Sequence, residues 1–253
     1  GGMLTVNGVI SGAFALGKSE QGVLWLNGAN TYSGGTTISN GYVVAGHDVA
    51  FGGGSSAVQF RGASFSQVLA SGVRTIGRAF ENTATGSTQT LGGLDAGAKL
   101  FSGALTLTRG INITAEVGGD VTFSGAASGA GGLTKVGSGT VILAPSAGNA
   151  FTGAVTVAAG TLEGRATATG SPFGANTAFT VANGTLLLAN LTGATASAVS
   201  TGALTVNSGA AIVAVNGGGQ AATFTFGSLA RSANATLTLK GTDTDLGSAG
   251  AEK

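Results

Sequence analysis

The sequence contains little of what most soluble domains use for crosslinking or for metal chemistry. Its 253 residues include no cysteine, two prolines, one tryptophan and one histidine. Without cysteine the chain can form neither disulfide bonds nor thiolate metal sites, and a lone His47 cannot supply the histidine pair of a zinc site. We therefore expect no metal and no cofactor.

Charge is scarce as well. Charged residues make up 8% of the chain, against roughly 25% in ordinary globular proteins. Eleven basic residues balance ten acidic ones, and neither sign is clustered, so the electrostatic footprint of a nucleic-acid or anionic-membrane partner is missing. No window approaches the 18 or so uninterrupted apolar residues of a membrane span. We predict no nucleic-acid partner and no membrane insertion by this segment.

Glycine and hydrophobic residues are abundant, with 48 glycines and a hydrophobic content of 43%. The run LTLTRGINIT has no glycine at every third position, which excludes a collagen triple helix. Intrinsic disorder requires low hydrophobicity and high net charge, whereas this chain is hydrophobic and has a net charge of +1. The chain is predicted to fold.

Apolar and small polar residues alternate in several short segments, including 104–108, 203–207, 222–226 and 235–239. A period of two residues is typical of half-buried strands. Asn-Gly pairs and other glycine-rich punctuation separate these segments, as expected for turns. No helical pattern competes, so the sequence predicts an all-β fold.

An internal repeat indicates which all-β architecture applies. With a shift of 117 residues, the segment from Ser11 to Leu26 aligns with the segment from Ser128 to Leu143. The alignment resumes at a shift of 119 after a two-residue insertion. We predict one continuous unit over 1–253, containing two modules at approximately 11–127 and 128–253.

Strand signals recur every eight to twelve residues, so each module spans several coils. Parallel strands stacked about 4.8 Å apart place each side chain on its counterpart in the next coil. We therefore expect a right-handed parallel β-helix, a β-solenoid of roughly 11 coils. Val, Leu and Ile would fill a small aliphatic interior, Thr would face outward, and Gly, Asn and Ala would form the corners. A β-sandwich is the alternative, but the scarcity of Pro, aromatic and long charged residues disfavours it.

The segment GGLTKVGSGTVILAPSAGNAFTGAVTVAAGTLEG, residues 131–164, resembles the autotransporter-associated β-strand repeat of bacterial surface proteins. Gly-Leu-Thr-Lys, Gly-x-Gly-Thr, Asn-x-aromatic-Thr-Gly and Val-x-x-Gly-Thr-Leu carry the resemblance, and residues 22–46 are similar. The resemblance implies a scaffold or display element of an extracellular passenger region that brings no catalytic residues.

On this basis we predict a non-enzymatic structural segment of an extracellular or cell-surface bacterial protein, a rigid stalk or adhesin passenger. Its partners would be a host or neighbouring-cell surface, or glycans. Two alternatives stay open: a filament subunit that associates through the solenoid ends, and a polysaccharide-binding or polysaccharide-degrading β-helix.

The acidic residues are the candidates for polysaccharide hydrolysis, which needs two carboxylates about 5 to 10 Å apart. Asp95, Glu116, Asp120 and Glu163 could converge on one face, but we expect them to be solvated loop charges. Asp243 and Asp245 form an Asp-x-Asp pair of the kind found in calcium loops, although a polar turn explains the pair as well.

Two further groups of residues have the side chains of a functional site. His47 and Asp48 have the residue types of a nucleophilic triad, but abundant serine makes that pattern uninformative. Trp25, Tyr32 and Tyr42 could form a sugar-stacking patch. In the repeat alignment Trp25 and Tyr32 fall on Ile142 and Phe151, which predicts core positions. We therefore predict no catalytic, cofactor-binding or metal residues.

Overall fold

The computed structural model describes residues 1–86, 89–166, 170–174, 177–190 and 197–242. These ranges contain 24 strands, numbered in chain order, and no helix. The described residues accordingly include no helix with the length and hydrophobicity that a bilayer crossing requires.

The strands pair in parallel and build three faces, of which the second has its first strand at Arg74. The first face contains β1 (Met3–Val6), β3 (Val23–Leu26), β5 (Gly41–Ala45), β7 (Ser66–Ala70), β10 (Gln89–Gly93), β13 (Ile111–Thr114), β16 (Leu133–Val136), the earlier parts of β19 (Val155–Ala166) and β20 (Phe179–Asn190), and the later parts of β21 (Ser197–Val206) and β23 (Ala222–Arg231).

The second face contains β8 (Arg74–Ile76), β11 (Gly97–Phe101), β14 (Gly119–Phe123), β17 (Thr140–Leu143), the later parts of β19 and β20, β22 (Ala210–Asn216) and β24 (Thr236–Thr242). The third face contains β2 (Leu16–Lys18), β4 (Thr36–Ile38), β6 (Val58–Phe60), β9 (Phe80–Asn82), β12 (Leu105–Leu107), β15 (Ala127–Gly129) and β18 (Ala150–Phe151). The earlier halves of β21 and β23 pair with each other.

One register runs along the whole first face, from Met3 to Ala230 in ten steps. A step takes between 19 residues, from Val23 to Tyr42, and 25 residues, from Tyr42 to Gln67. The predicted all-β parallel solenoid is confirmed, with about ten turns where roughly 11 were expected. Its right-handed sense and the module boundaries stay predictions.

Side chains alternate between the interior and the surface, as the period of two requires. One inward column of the first face contains Val68, Leu91, Ile113, Val157, Val181 and Val206, each at most 3% exposed. The neighbouring outward column contains the half-buried Thr134, Thr156, Thr180 and Thr205. The expected division into an aliphatic interior and an outer threonine surface therefore holds for these positions. Other inward positions of the same face hold the buried residues Ser66, Gln89, Lys135 and Phe179.

The interior also holds phenylalanine, which the expectation of a small aliphatic core did not include. Phe101 and Phe123 are paired on adjacent rungs, and their rings stack with centroids 5.1 Å apart and planes 15° apart. Phe80 meets Phe101 edge-on at 5.7 Å. A rung spacing of about 4.8 Å suits face-to-face aromatic rings, so aromatic columns fit a solenoid as well as aliphatic ones do.

The two sequence repeats are out of phase by one face. Leu16 is related to Ala127 by five steps along the third face. Leu133, the counterpart of Leu16, lies on the next strand, which belongs to the first face. The second repeat therefore begins five coils and one face after the first, so its outward side chains point in a different direction around the axis.

Candidate functional site

A buried lysine closes one corner of the second repeat. Lys135 occupies an inward position between Ile113 and Val157 and is 0% exposed. Its Nζ donates hydrogen bonds to the carbonyl oxygens of Val136 at 2.8 Å, Gly137 at 2.7 Å and Ala159 at 3.1 Å. Burial lowers the pKa of Lys135 to about 8, and the charge of Glu116 partly opposes this effect. The carbonyl cluster takes the place of a carboxylate partner.

The first repeat contains the same arrangement. The Nζ of Lys18 donates to the carbonyl oxygens of Glu20 and, at 3.2 Å, of Asn40, and burial lowers the Lys18 pKa. Glu20 and Asn40 are the counterparts of Gly137 and Ala159 in the repeat alignment. Sequence reasoning had not assigned a role to this lysine, although its presence in both copies was the available signal.

An asparagine in each repeat joins three successive coils. The side chain of Asn30 accepts from the Ile10 amide at 2.8 Å and donates to the Ala50 carbonyl at 2.7 Å. In the second repeat, Asn149 accepts from the Ala127 amide at 2.7 Å and donates to the Pro172 carbonyl at 2.5 Å. Both asparagines satisfy backbone groups at corners where the strand ladder is interrupted.

Asp95, the first of the candidate acids, has a structural environment. Its carboxylate accepts from Lys99 Nζ at 2.7 Å, from Ser71 Oγ at 2.6 Å and from the Gly72 amide at 2.9 Å. Burial acts to raise the pKa of Asp95, but these hydrogen bonds outweigh it and lower the pKa below its usual value. Lys99 is 1% exposed and also donates to three corner carbonyls.

The other candidate acids do not form a hydrogen-bonded pair. Glu163 binds Arg165 through Oε1 at 2.6 Å, while Glu116 and Asp120 are exposed. Within the described ranges, no group of three or more histidine or acidic side chains is placed to hold a metal ion. Asp243 and Asp245 lie outside the described residues.

His47 and Asp48 make separate contacts. The Nδ1 of His47 accepts from the Val49 amide at 3.2 Å, and Oδ1 of Asp48 accepts from the Thr75 amide at 3.1 Å. Because each group bonds to a different backbone amide, the aspartate does not orient the imidazole as it would in a triad.

The aromatic residues divide between the core and the surface. Tyr32 is 0% exposed and its hydroxyl pairs with Thr36 Oγ1 at 2.6 Å, as its alignment with Phe151 predicted. The prediction for Trp25 was wrong. Leu24 and Leu26 face inward, so Trp25 faces outward, where it is half-buried and lies beside Gly46. Ile142, the aligned residue of the second repeat, is 6% exposed, so the two aligned positions differ in burial.

Tyr42 forms part of a groove on the outer surface of the first face. Its ring meets that of Phe65 edge-on, with centroids 5.5 Å apart and planes at 66°, and both side chains are 38% exposed. The groove has a volume of about 320 Å³, and Gln21 and Asn40 contribute to its lining together with glycine backbone and Val23. We call this feature the Tyr42–Phe65 groove.

Two segments of the chain, residues 16–45 and 133–163, match the family model of the passenger-associated-transport-repeat. The two segments are therefore similar to passenger-associated transport repeats. The match confirms the resemblance to autotransporter passenger repeats that the motifs indicated. Each matched segment includes the lysine that donates to corner carbonyls and the asparagine that joins three coils.

A similar curated protein is the adhesin BmaC autotransporter of Brucella suis biovar 1 (strain 1330), which is 31% identical over 160 residues. That alignment covers 63% of this chain and 4% of the relative, so the chain spans a small fraction of the relative's length. The alignment covers more of the chain than the two segments that match the family model do. No solved structure matches the chain.

Proposed function

We propose that this chain is a structural segment of an extracellular bacterial surface protein, a rigid β-solenoid stalk within an adhesin-type autotransporter passenger. The observation that carries the proposal is the uninterrupted first-face register from Met3 to Ala230. At about 4.8 Å per rung, its ten steps give a rod roughly 50 Å long. Repeats that contact only their neighbours add length without a large globular core.

The side chains shared by the two repeats support a mechanical role. Lys18 and Lys135 hold corner carbonyls, and Asn30 and Asn149 connect three coils each. These groups satisfy the backbone where the strand ladder turns, and satisfied polar groups give a rod fixed corners. The segment works through extension and surface contact, without catalysis.

Two experiments test the proposal. Electron microscopy of the isolated segment, tagged at both ends, should reveal rods with the tags separated along the long axis. Antibodies raised against the segment should label intact source cells without permeabilisation. A compact particle, or labelling only after the envelope is opened, would contradict the proposal.

A further inference from the structure

The Tyr42–Phe65 groove is not explained by the architecture of the repeat. Where the coil requires a particular side chain, both repeats supply it, as with Lys18 and Lys135. At position 42, however, the first repeat has tyrosine, whereas the aligned position of the second repeat is Thr161. Thr161 continues the same kind of strand. The coil therefore does not need an aromatic ring at this position.

The two rings form a fixed apolar surface. Tyr42 is held in register between Val23 and Gln67, and the Phe65 carbonyl accepts the Gly41 amide at 3.0 Å. The backbone of each aromatic residue is thus tied to a neighbouring rung. Aromatic rings that remain partly exposed in a fixed position offer a flat face to a ligand at little entropic cost.

Polar groups converge on the same groove without carrying charge. The side-chain amides of Gln21 and Asn40 line it, and neither amide forms a hydrogen bond to another side chain or backbone group within the described residues. Each amide offers two donors and one acceptor oxygen. None of the side chains that line the groove is charged, so its polar lining suits neutral hydroxyl groups.

We propose that the Tyr42–Phe65 groove binds a neutral pyranose unit of a surface glycan. The apolar C–H face of the sugar would lie against the Tyr42 ring, and its hydroxyls would pair with Gln21 and Asn40. The volume of about 320 Å³ lies at the small end of ligand pockets, which suits one or two sugar rings. The inference rests on the proposed exposure of the segment at the cell surface, where glycans are within reach.

Saturation-transfer NMR on the whole chain tests the proposal with named probes. Methyl β-glucoside, methyl β-galactoside and N,N′-diacetylchitobiose are the neutral sugars, and glucuronate is the charged comparator. We expect transfer to the ring C–H protons of at least one neutral sugar and none to glucuronate. Tyr42→Thr should reduce the transfer at least tenfold, Phe65→Leu should reduce it less, and Tyr42→Phe should retain most of it.

The second repeat supplies matched controls. Tyr42→Thr introduces the residue that already stands at position 161, so the fold should tolerate it. Tyr32→Phe introduces the residue found at position 151, away from the groove, and should leave sugar binding unchanged. Equal circular dichroism spectra and melting temperatures would establish that both variants fold.

Three results would overturn the proposal: no transfer to any neutral sugar, transfer that Tyr42→Thr does not alter, or dimerisation through the groove that Tyr42→Thr abolishes. None of them would affect the proposed stalk, because rod dimensions in electron microscopy do not depend on Tyr42. Loss of the rod shape would instead contradict the proposed stalk function, whereas the groove proposal is decided by the sugar-binding measurements.

Discussion

Lys18 and Lys135 direct their ammonium groups to equivalent corner carbonyls, although Lys18 lies on the third face and Lys135 on the first. The motif therefore encodes a corner rather than a particular side of the rod. In both repeats a glycine, Gly41 or Gly160, follows the last residue whose carbonyl accepts from the lysine, and there is no room for a side chain at that glycine. An added Cβ would lie 2.6 or 2.7 Å from the lysine Nζ. The repeat begins on the third face in one copy and on the first face in the other, five coils later, with the same lysine contacts.

Replacement of Lys135 should change how stability depends on pH. Its pKa is about 8 in the folded chain, against about 10.4 in an unfolded one. Between these values the unfolded chain binds more protons, so wild-type stability should rise with pH, by roughly 3 kcal/mol over the interval. Lys135→Met lacks this contribution. In urea unfolding at pH 7 and pH 10, the free energy of unfolding of the wild type should therefore increase relative to that of the variant as pH rises.

Lys240→Met removes an exposed lysine and serves as the control for the loss of one positive charge. Its unfolding midpoints should follow those of the wild type at both pH values. If the unfolding midpoints of Lys135→Met changed with pH as those of the wild type do, the Lys135 ammonium would not be the group that causes the pH dependence.

The coil-joining asparagines should differ in importance although they form the same contacts. Asn30 is 1% exposed, so Asn30→Ala removes the partner of the Ile10 amide and leaves the buried Ala50 carbonyl unpaired. Asn30→Ala should lower the free energy of unfolding by about 2 kcal/mol. Asn149→Ala should lower it by about 1 kcal/mol, because water can take the place of the half-buried Asn149 side chain. Hydrogen exchange of the Ile10 amide should accelerate at least tenfold in Asn30→Ala.

Asn7→Ala is a suitable comparison because it removes an exposed side-chain hydrogen bond, from Asn27. Exchange of the Ile10 amide should hardly change in that variant. Equal acceleration in Asn7→Ala and Asn30→Ala would mean that general loosening of the first coils, and not the lost Asn30 bridge, controls exchange.

A substitution at Gly174 should be severe because backbone conformation and packing both oppose it. Gly174 has a φ of +80°, and an added Cβ would lie 2.3 Å from the Phe151 carbonyl oxygen. Gly219 has a similar φ of +83° but nothing within 4 Å of that position. Gly174→Ala should therefore destabilise the chain by about 1 to 3 kcal/mol more than Gly219→Ala does. Because the two φ values are similar, the difference between the two melting temperatures measures the steric clash at Gly174 alone. Equal melting temperatures would contradict this prediction.

The sequence predicted the solenoid because its periodicity and its repeat agree, but it could not place Lys99 and Lys135. Lysine is almost never fully buried, so a lysine in a strand is normally expected at the surface. Here the corner carbonyls bind the ammonium group, and those carbonyls converge only after the coil has closed. The cause of the burial is therefore tertiary.

The sequence indicates Tyr42 as part of a possible sugar-stacking patch but does not identify Phe65 as its neighbour, for a related reason. In VLWL, residues 23–26, every residue is apolar, so alternation alone does not reveal that Trp25 faces outward. Tyr42 and Phe65 meet because the coil between them takes 25 residues, whereas the preceding coil takes 19. Since the coil length varies from rung to rung, neighbours across coils cannot be read from a fixed spacing.

Deleting one whole coil should preserve the fold, whereas deleting half of one should not. Removal of residues 112–133 joins Ile111 to Thr134, and Ile111 then takes the place of its own register partner Leu133. Each face loses one rung and the remaining ladders close, so the melting temperature should change by less than about 5 °C, as expected when stability is a sum over neighbouring repeats.

Removal of residues 112–122 is the control, because it connects a first-face strand to the end of a second-face strand and displaces every later register. That variant should lose its cooperative melting transition in circular dichroism. Cooperative melting of both deletions at similar temperatures would show that the coils are not held by the register described here.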